Sequence, residues 1–187
     1  MTPLAPLLRL LEAHTPEDAD EAHSLAEMRR MLPQLAHPLS RNQMPAHFTA
    51  SALLVDIEAG RVALLHHAKL DKWLQPGGHA EAIDEGLMHH AALREATEET
   101  GCAVRLYHDP PTLLDVDVHR IPARADEPAH HHLDLRFLVV AKDPQALALN
   151  AAESFAVQWF SFDAAMSRAA DPPLRRMIRK VRSILGR

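Results

Sequence analysis

Three glutamates, Glu95, Glu98 and Glu99, stand at i, i+3 and i+4 in the run Arg94-Glu95-Ala96-Thr97-Glu98-Glu99-Thr100-Gly101. On a helix these positions share one face, within an arc of roughly 100° at 3.6 residues per turn. Carboxylates packed that closely repel one another. A hard cation among their oxygens removes the repulsion, and Mg²⁺ suits carboxylates combined with substrate phosphates. The spacing points to a metal-assisted site for a phosphorylated ligand. Upstream stands Gly77-Gly78-His79. Glycines at such a place let backbone groups approach a metal or a phosphate with no Cβ between.

These residues need a helix, and the surrounding sequence supplies one. Asp84 is placed as the N-cap of a helix over residues 85–100, a role worth about 1 kcal/mol. Gly101 supplies the left-handed stop. Ala91, Ala92 and Ala96 are small enough to let that helix lie close to a sheet. Strands are expected over residues 48–57 and 61–67, joined by a turn at 58–60, and over 103–106, 112–119, 133–140 and 156–160. Residues 73–78 read as a tight passage into the catalytic loop. A helix follows Ser161, and residues 174–185 carry an apolar stripe of Leu174, Met177, Ile178, Val181 and Leu185. Arg175, Arg176, Arg179, Lys180 and Arg182 are expected to face away from it, into solvent. Residues 1–45 form a helical lead-in. Thr15-Pro16-Glu17-Asp18 reads as a helix start, and Leu25, Met28 and Leu32 fall at helical spacing before Pro33 and Pro38 break it. An amphipathic helix must have its stripe covered, by its own domain or by a second copy of the chain.

The chain has 187 residues with 47% hydrophobic and 24% charged content, ordinary for a soluble globular protein. Its net charge of −5 favours neither nucleic acid nor an anionic membrane. No apolar run approaches the roughly 20 residues that span a bilayer. The first residues lack a secretory pattern, so a cytoplasmic location is the expectation. The one cysteine, Cys102, excludes an internal disulfide and is expected to be a small buried apolar residue. Fourteen histidines include one run of three, His130-His131-His132, and no Cys/His spacing suggests a zinc module.

Gly78 followed by Arg94-Glu95-Ala96-Thr97-Glu98-Glu99-Thr100-Gly101-Cys102 resembles the signature box of the Nudix hydrolases. The second half matches at every fixed position. The first half departs: Asp84 stands six residues after Gly78, but Arg94 comes ten later, two more than the family spacing. The supporting upstream acid is therefore Asp84, Glu85 or Glu81. The resemblance implies an α/β fold, a Nudix α/β/α sandwich with a mixed sheet over residues 46–187, preceded by the helical N-terminal extension of residues 1–45. It implies Mg²⁺-dependent (or Mn²⁺-dependent) hydrolysis of a nucleoside diphosphate linked to another moiety. By motif position Glu95, Glu98 and Glu99 are metal ligands, with a backbone carbonyl at Gly77 or Gly78. Arg94 orients one of the glutamates. The catalytic set is then Glu98, Glu99 and Arg94, with Glu153 on a late loop as general base. His79 and Arg136 are candidates for phosphate contacts and Trp73 for stacking on a base. Nudix proteins are often dimers, which makes a homodimer through the extension an expectation. Asp117 and His119 stand where ADP-ribose and diadenosine polyphosphate subgroups carry proline and tyrosine, so no substrate within the class is singled out. Two other readings compete. An isopentenyl diphosphate isomerase-like enzyme would need a cysteine upstream of the box. A non-catalytic nucleotide-binding module would be expected to have lost box glutamates.

Overall fold

In the computed structural model, residues 4–124, 127–150 and 154–187 are described. Two long strands make the spine, β1 (Ala46–Asp56) and β7 (His130–Ala141). They run parallel from the Ala46–His131 pair to the Val55–Val140 pair. β1 is buried along its whole length, with the polar His47, Thr49 and Ser51 alternating among its apolar residues. Around this spine lie β2 (Arg61–His67), β3 (Lys72–Leu74), β4 (Gly77–His79), β5 (Val104–Leu106), β6 (Asp115–Ile121) and β8 (Ser154–Ser161). All of these pair antiparallel, giving one mixed eight-stranded sheet.

Side chains alternate across a strand, so β1 and β7 serve two cores. Phe48, Ala50, Ala52 and Leu54 of β1 join Leu133, Leu135, Phe137 and Val139 of β7 on one face. There they meet helix α3 (Met88–Thr100) through Ala91, Ala92 and Ala96. Leu53, Val55, Leu138 and Val140 point the other way, onto α4 (Phe162–Arg168) and α5 (Pro172–Ile184). Helices on both faces of a mixed sheet make the α/β/α sandwich.

The N-terminal extension consists of α1 (Leu4–Ala13) and α2 (Ala19–Met31), with a 3₁₀ turn at Leu32–Gln34. Leu7, Leu11, Leu25, Met28 and Leu32 are buried in the same cluster as Phe48, Leu133 and Phe137. The extension's stripe is thus covered by its own chain. The start of α2 is three residues later than the sequence suggests. Its N-cap is Asp18, which accepts from the Glu21 N–H at 2.9 Å, in place of Thr15.

Two further expectations are corrected. Helix α3 begins at Met88 after an uncapped Leu87, so Asp84 is not its N-cap. Asp84 instead closes a 3₁₀ turn at Ala82–Asp84, where it accepts from the Glu81 N–H at 2.7 Å. The basic residues of α5 do not all face solvent either. Arg176 is buried and donates to Asp115 at 2.6 and 3.0 Å. Lys180 donates to Glu21 at 2.5 Å and to Asp115 at 3.1 Å. Hydrophobic spacing places the stripe of a helix, but not the carboxylates that other elements bring to its flank.

Candidate active site on the glutamate helix

Two of the three glutamates of α3, Glu95 and Glu99, meet the Gly77-Gly78 strand. Strand β4 pairs with β1 through Ser51–Gly77, Ala50–Gly78 and Thr49–His79. Alternation then splits it between the two faces. Gly78 lies on the face of Ala50 and α3, while Gly77 and His79 lie on the face of Ser51 and Thr49. A Cβ on Gly78 would sit within 2.6 Å of Glu95 Cδ and closer still to its Oε1. Glycine is required there because the Glu95 carboxylate occupies that space. A Cβ on Gly77 would strike the Ala50 carbonyl oxygen at 2.8 Å and the Ser51 hydroxyl. The Gly77 N–H donates to Glu99 Oε2 at 2.8 Å, tying the turn to the helix.

Arg94 organises the rest. Its Nη1 donates to Glu95 at 2.9 Å and to Glu98 at 3.1 Å. Its Nη2 donates to the His79 carbonyl at 2.8 Å and to Asp84 at 3.1 Å, and its Nε donates to Asp84 at 3.2 Å. Burial works against its charge, yet the hydrogen bonds and charges of Asp84 and Glu95 hold the guanidinium above its ordinary range. Of the three upstream acids, Asp84 is buried at 2% exposure and meets Arg94 bidentately. Glu81 stands 4.0 Å from Arg94, and Glu85 is a left-handed, exposed residue closing the turn. The longer loop between Gly78 and Arg94 holds the 3₁₀ turn and, after it, Glu85 and Gly86, both at positive φ. Glu98 is the open member of the trio, 55% exposed along its side chain, whereas Glu99 is buried.

A model of the NUDIX domain matches residues 45–181. The chain belongs to the Nudix family. It is a hydrolase acting on diphosphate bonds, a family chemistry that generally uses divalent metals. None of the curated proteins matches in sequence. Solved structures share the fold. A C. elegans Ap4A hydrolase binary complex is 19% identical with a TM-score of 0.58, covering 74% of this chain and 97% of its own. A MutT Nudix hydrolase from Burkholderia pseudomallei is 22% identical at 0.53, covering 73% and 98%. A UDP-X diphosphatase is 17% identical at 0.51, and its match takes in 97% of this chain, extension included, and 94% of its own.

The remaining candidates divide between the Nudix box and other places. The His79 ring is turned away from the box. Its Nε2 lies 3.1 Å from Nε2 of His47, and its ring meets His132 edge-on at 5.0 Å. Burial, with the neighbouring His47 adding to it, pushes His79 down to about 4. Arg136 is buried among three carboxylates, donating to Asp134 at 2.8 Å, Asp117 at 3.2 Å and Asp115 at 3.3 Å. Asp134 also accepts from Thr49 and Ser51. All of Arg136's donor nitrogens are thereby engaged with protein. Trp73 stacks on His66 at 5.0 Å and 13°, with Phe160 edge-on at 4.9 Å and Arg168 over its ring. Glu153 lies outside the described residues. The segment before it runs along the end of α3, where the Ala148 N–H donates to the Thr100 carbonyl at 2.8 Å. Cys102 is fully buried, and burial raises its thiol.

Sequence reading missed Ser51 and Asp134 as the floor beneath Gly77. The signal was present as polar residues alternating through otherwise apolar β1 and β7. It missed His47 in the same way. Among the described residues, only His47, His130 and His132 bring three potential metal-ligating atoms within 4.8 Å of one another. The box carboxylates are spread instead over Arg94 and the Gly77 N–H.

Proposed function

We propose that this enzyme is a Mg²⁺-dependent pyrophosphohydrolase that cleaves a nucleoside diphosphate linked to another moiety. One observation carries the reading: the Glu95 carboxylate fills the space a Cβ would take at Gly78, with Glu99 bound to the Gly77 N–H beside it. Carboxylate oxygens beside a backbone with no side chain in the way support this reading, because such a donor set fits Mg²⁺. Glu95, Glu98 and Glu99, with the Gly78 carbonyl, would hold the ion. Bound there, Mg²⁺ would neutralise the diphosphate oxygens and lower the pKa of an attacking water.

The chain's own residues do the positioning. Arg94 spans Glu95 and Glu98 and fixes both by charge-assisted hydrogen bonds. Asp84 and the His79 carbonyl hold Arg94 from behind. Glu98, the exposed member, is the group with room to meet substrate or a water, and Glu153 is a second candidate base. Cys102 lies in the core downstream of the glutamates, which argues against the isomerase reading. Retention of all three glutamates and Arg94 argues against a non-catalytic module.

The test is a panel of nucleoside diphosphate derivatives, including dinucleoside polyphosphates and nucleotide sugars, incubated with Mg²⁺ or Mn²⁺ and followed by product release. Metal-dependent cleavage of the diphosphate bond in at least one of them is expected. A panel untouched with either metal would overturn the reading.

A further inference from the structure

On the face of the sheet away from the glutamates, four imidazoles from three strands point at one another. His47 enters from β1, His79 from β4, and His130 and His132 from β7. His47 and His132 are register partners across β1 and β7, and His79 pairs with Thr49, the next residue on the same face. His47 and His130 are fully buried and stacked at 4.9 Å. The ring nitrogens meet in two close pairs. Nε2 of His47 and His79 are 3.1 Å apart, and Nε2 of His130 and His132 are 3.2 Å apart.

The outer nitrogens decide which way the lone pairs face. Nδ1 of His47 lies 3.1 Å from the Gln43 carbonyl, and Nδ1 of His130 lies 2.9 Å from the Pro128 carbonyl. A carbonyl only accepts, so both Nδ1 atoms carry the proton and both Nε2 atoms present bare lone pairs to the centre. Backbone carbonyls holding the far nitrogen are how proteins orient histidines that bind a metal. The ligand atoms of His47, His130 and His132 lie within 4.8 Å of one another. Around a tetrahedral zinc ion, with Zn–N near 2.0–2.1 Å, neighbouring nitrogens stand roughly 3.3 Å apart. The two close pairs already have nearly that separation.

We propose that His47, His130 and His132, with His79 as fourth ligand, form a binding site for a divalent transition ion of the zinc class, distinct from the Nudix box. An all-imidazole set selects zinc, nickel or copper ions over Mg²⁺, the reverse of the carboxylate set on α3. Its place gives it a structural role. It would clamp β4 to the start of β1 and β7. The backbone of β4 carries Gly77 and Gly78, and the His79 carbonyl accepts from Arg94.

The test uses the full chain, stripped with a chelator and then titrated with Zn²⁺ in excess Mg²⁺. Competition against a chromophoric chelator and elemental analysis after dialysis read the binding. Tight binding of a single equivalent is expected, with a rise in the thermal midpoint. Co²⁺ in place of Zn²⁺ should give the intense visible bands of tetrahedral coordination. His79→Gln and His132→Gln should each weaken Zn²⁺ by more than the roughly 10–100-fold typical of losing an outer-shell partner. Glu98→Gln should leave it unchanged. The half-buried His79 keeps the test open if a His132 variant fails to fold, and the Co²⁺ spectrum needs no variant. Absence of Zn²⁺ binding, binding unaffected by His79→Gln, or octahedral Co²⁺ spectra would overturn the proposal. The cluster would then be two hydrogen-bonded histidine pairs.

Discussion

Asp84→Asn should damage both stability and metal use, far beyond the loss of a helix cap. Asp84 is 2% exposed and accepts from Arg94 Nε at 3.2 Å, Arg94 Nη2 at 3.1 Å and the Glu81 N–H at 2.7 Å. An asparagine keeps one accepting oxygen and places an NH₂ where three donors already converge. At least one charge-assisted hydrogen bond is lost, worth about 1.5–3 kcal/mol, and a buried donor is left facing another. Breaking a buried ion pair from one side typically costs about 3–5 kcal/mol. Arg94 keeps Glu95, Glu98 and the His79 carbonyl, so the lower part of that range applies, roughly 3 kcal/mol. For a chain of this size each kcal/mol moves the thermal midpoint by about 2–4 °C. The expected fall is therefore about 6–12 °C by circular dichroism. Because Arg94 also fixes Glu95 and Glu98, the Mg²⁺ concentration for half-maximal activity should rise by about 10–100-fold. A midpoint within about 2 °C of wild type, with unchanged Mg²⁺ dependence, would refute the idea that Asp84 holds the box through Arg94.

Other perturbations separate the roles of neighbouring residues. Gly78→Ala should displace Glu95 and remove most activity while costing little more than about 1–3 kcal/mol of stability, since the clash is with a side-chain end. Gly77→Ala meets the Ala50 backbone and should fold poorly, which expression yield and urea unfolding would show. Deleting residues 1–40 removes Leu7, Leu11, Leu25, Met28 and Leu32 from the core. At roughly 1.5–3 kcal/mol for each buried side chain, that rivals a domain's whole stability of about 5–15 kcal/mol. The truncated protein should thus be insoluble or unfolded, whereas a folded, active product would show the extension to be dispensable. Metal-free protein should lose stability on acidification from pH 6.5 towards 4. Burial holds His79 down to about 4 and His132 to about 2, so below their unfolded value near 6.5 the unfolded chain binds the extra protons. Glu21 adds to the loss only at lower pH. Burial raises its carboxyl, but hydrogen bonds from His14, the Glu17 N–H and Lys180 bring it down to about 2, so its contribution is full above 4.5 and fades towards 2. Urea midpoints across this range would check the slope.

The box was legible because its chemistry is local. Three glutamates one turn apart, Gly78 before them and Gly101 after them are all fixed by helix geometry and close approach. The long strands were legible from their apolar runs, and the core helices from their stripes. What escaped depends on partners far along the chain. Asp84 looks like a cap until Arg94 recruits it across the loop. Arg176 and Lys180 look solvated until β6 brings Asp115, and α2 brings Glu21, to their side. His47 looks like a single histidine ahead of a strand until β7 sets His132 beside it. Arg136 looks like a phosphate ligand until Asp115 and Asp117 arrive from the next strand. Strands of three residues, such as β3 and β4, are too short to show a period at all.

The central claim is that Glu98 and Glu99 form the metal-dependent catalytic face of a diphosphate hydrolase. It is tested most directly by steady-state turnover of Glu98→Gln and Glu99→Gln on the best diphosphate substrate across a Mg²⁺ titration, with circular dichroism to confirm the fold. Each amide keeps the shape but removes the charge, at a cost of several kcal/mol in the transition state, with every 1.36 kcal/mol worth about tenfold in rate. Turnover should fall by about 100-fold or more in both variants, with Glu98→Gln retaining wild-type stability because its side chain is exposed. Wild-type turnover at saturating Mg²⁺ in both folded variants would contradict the account.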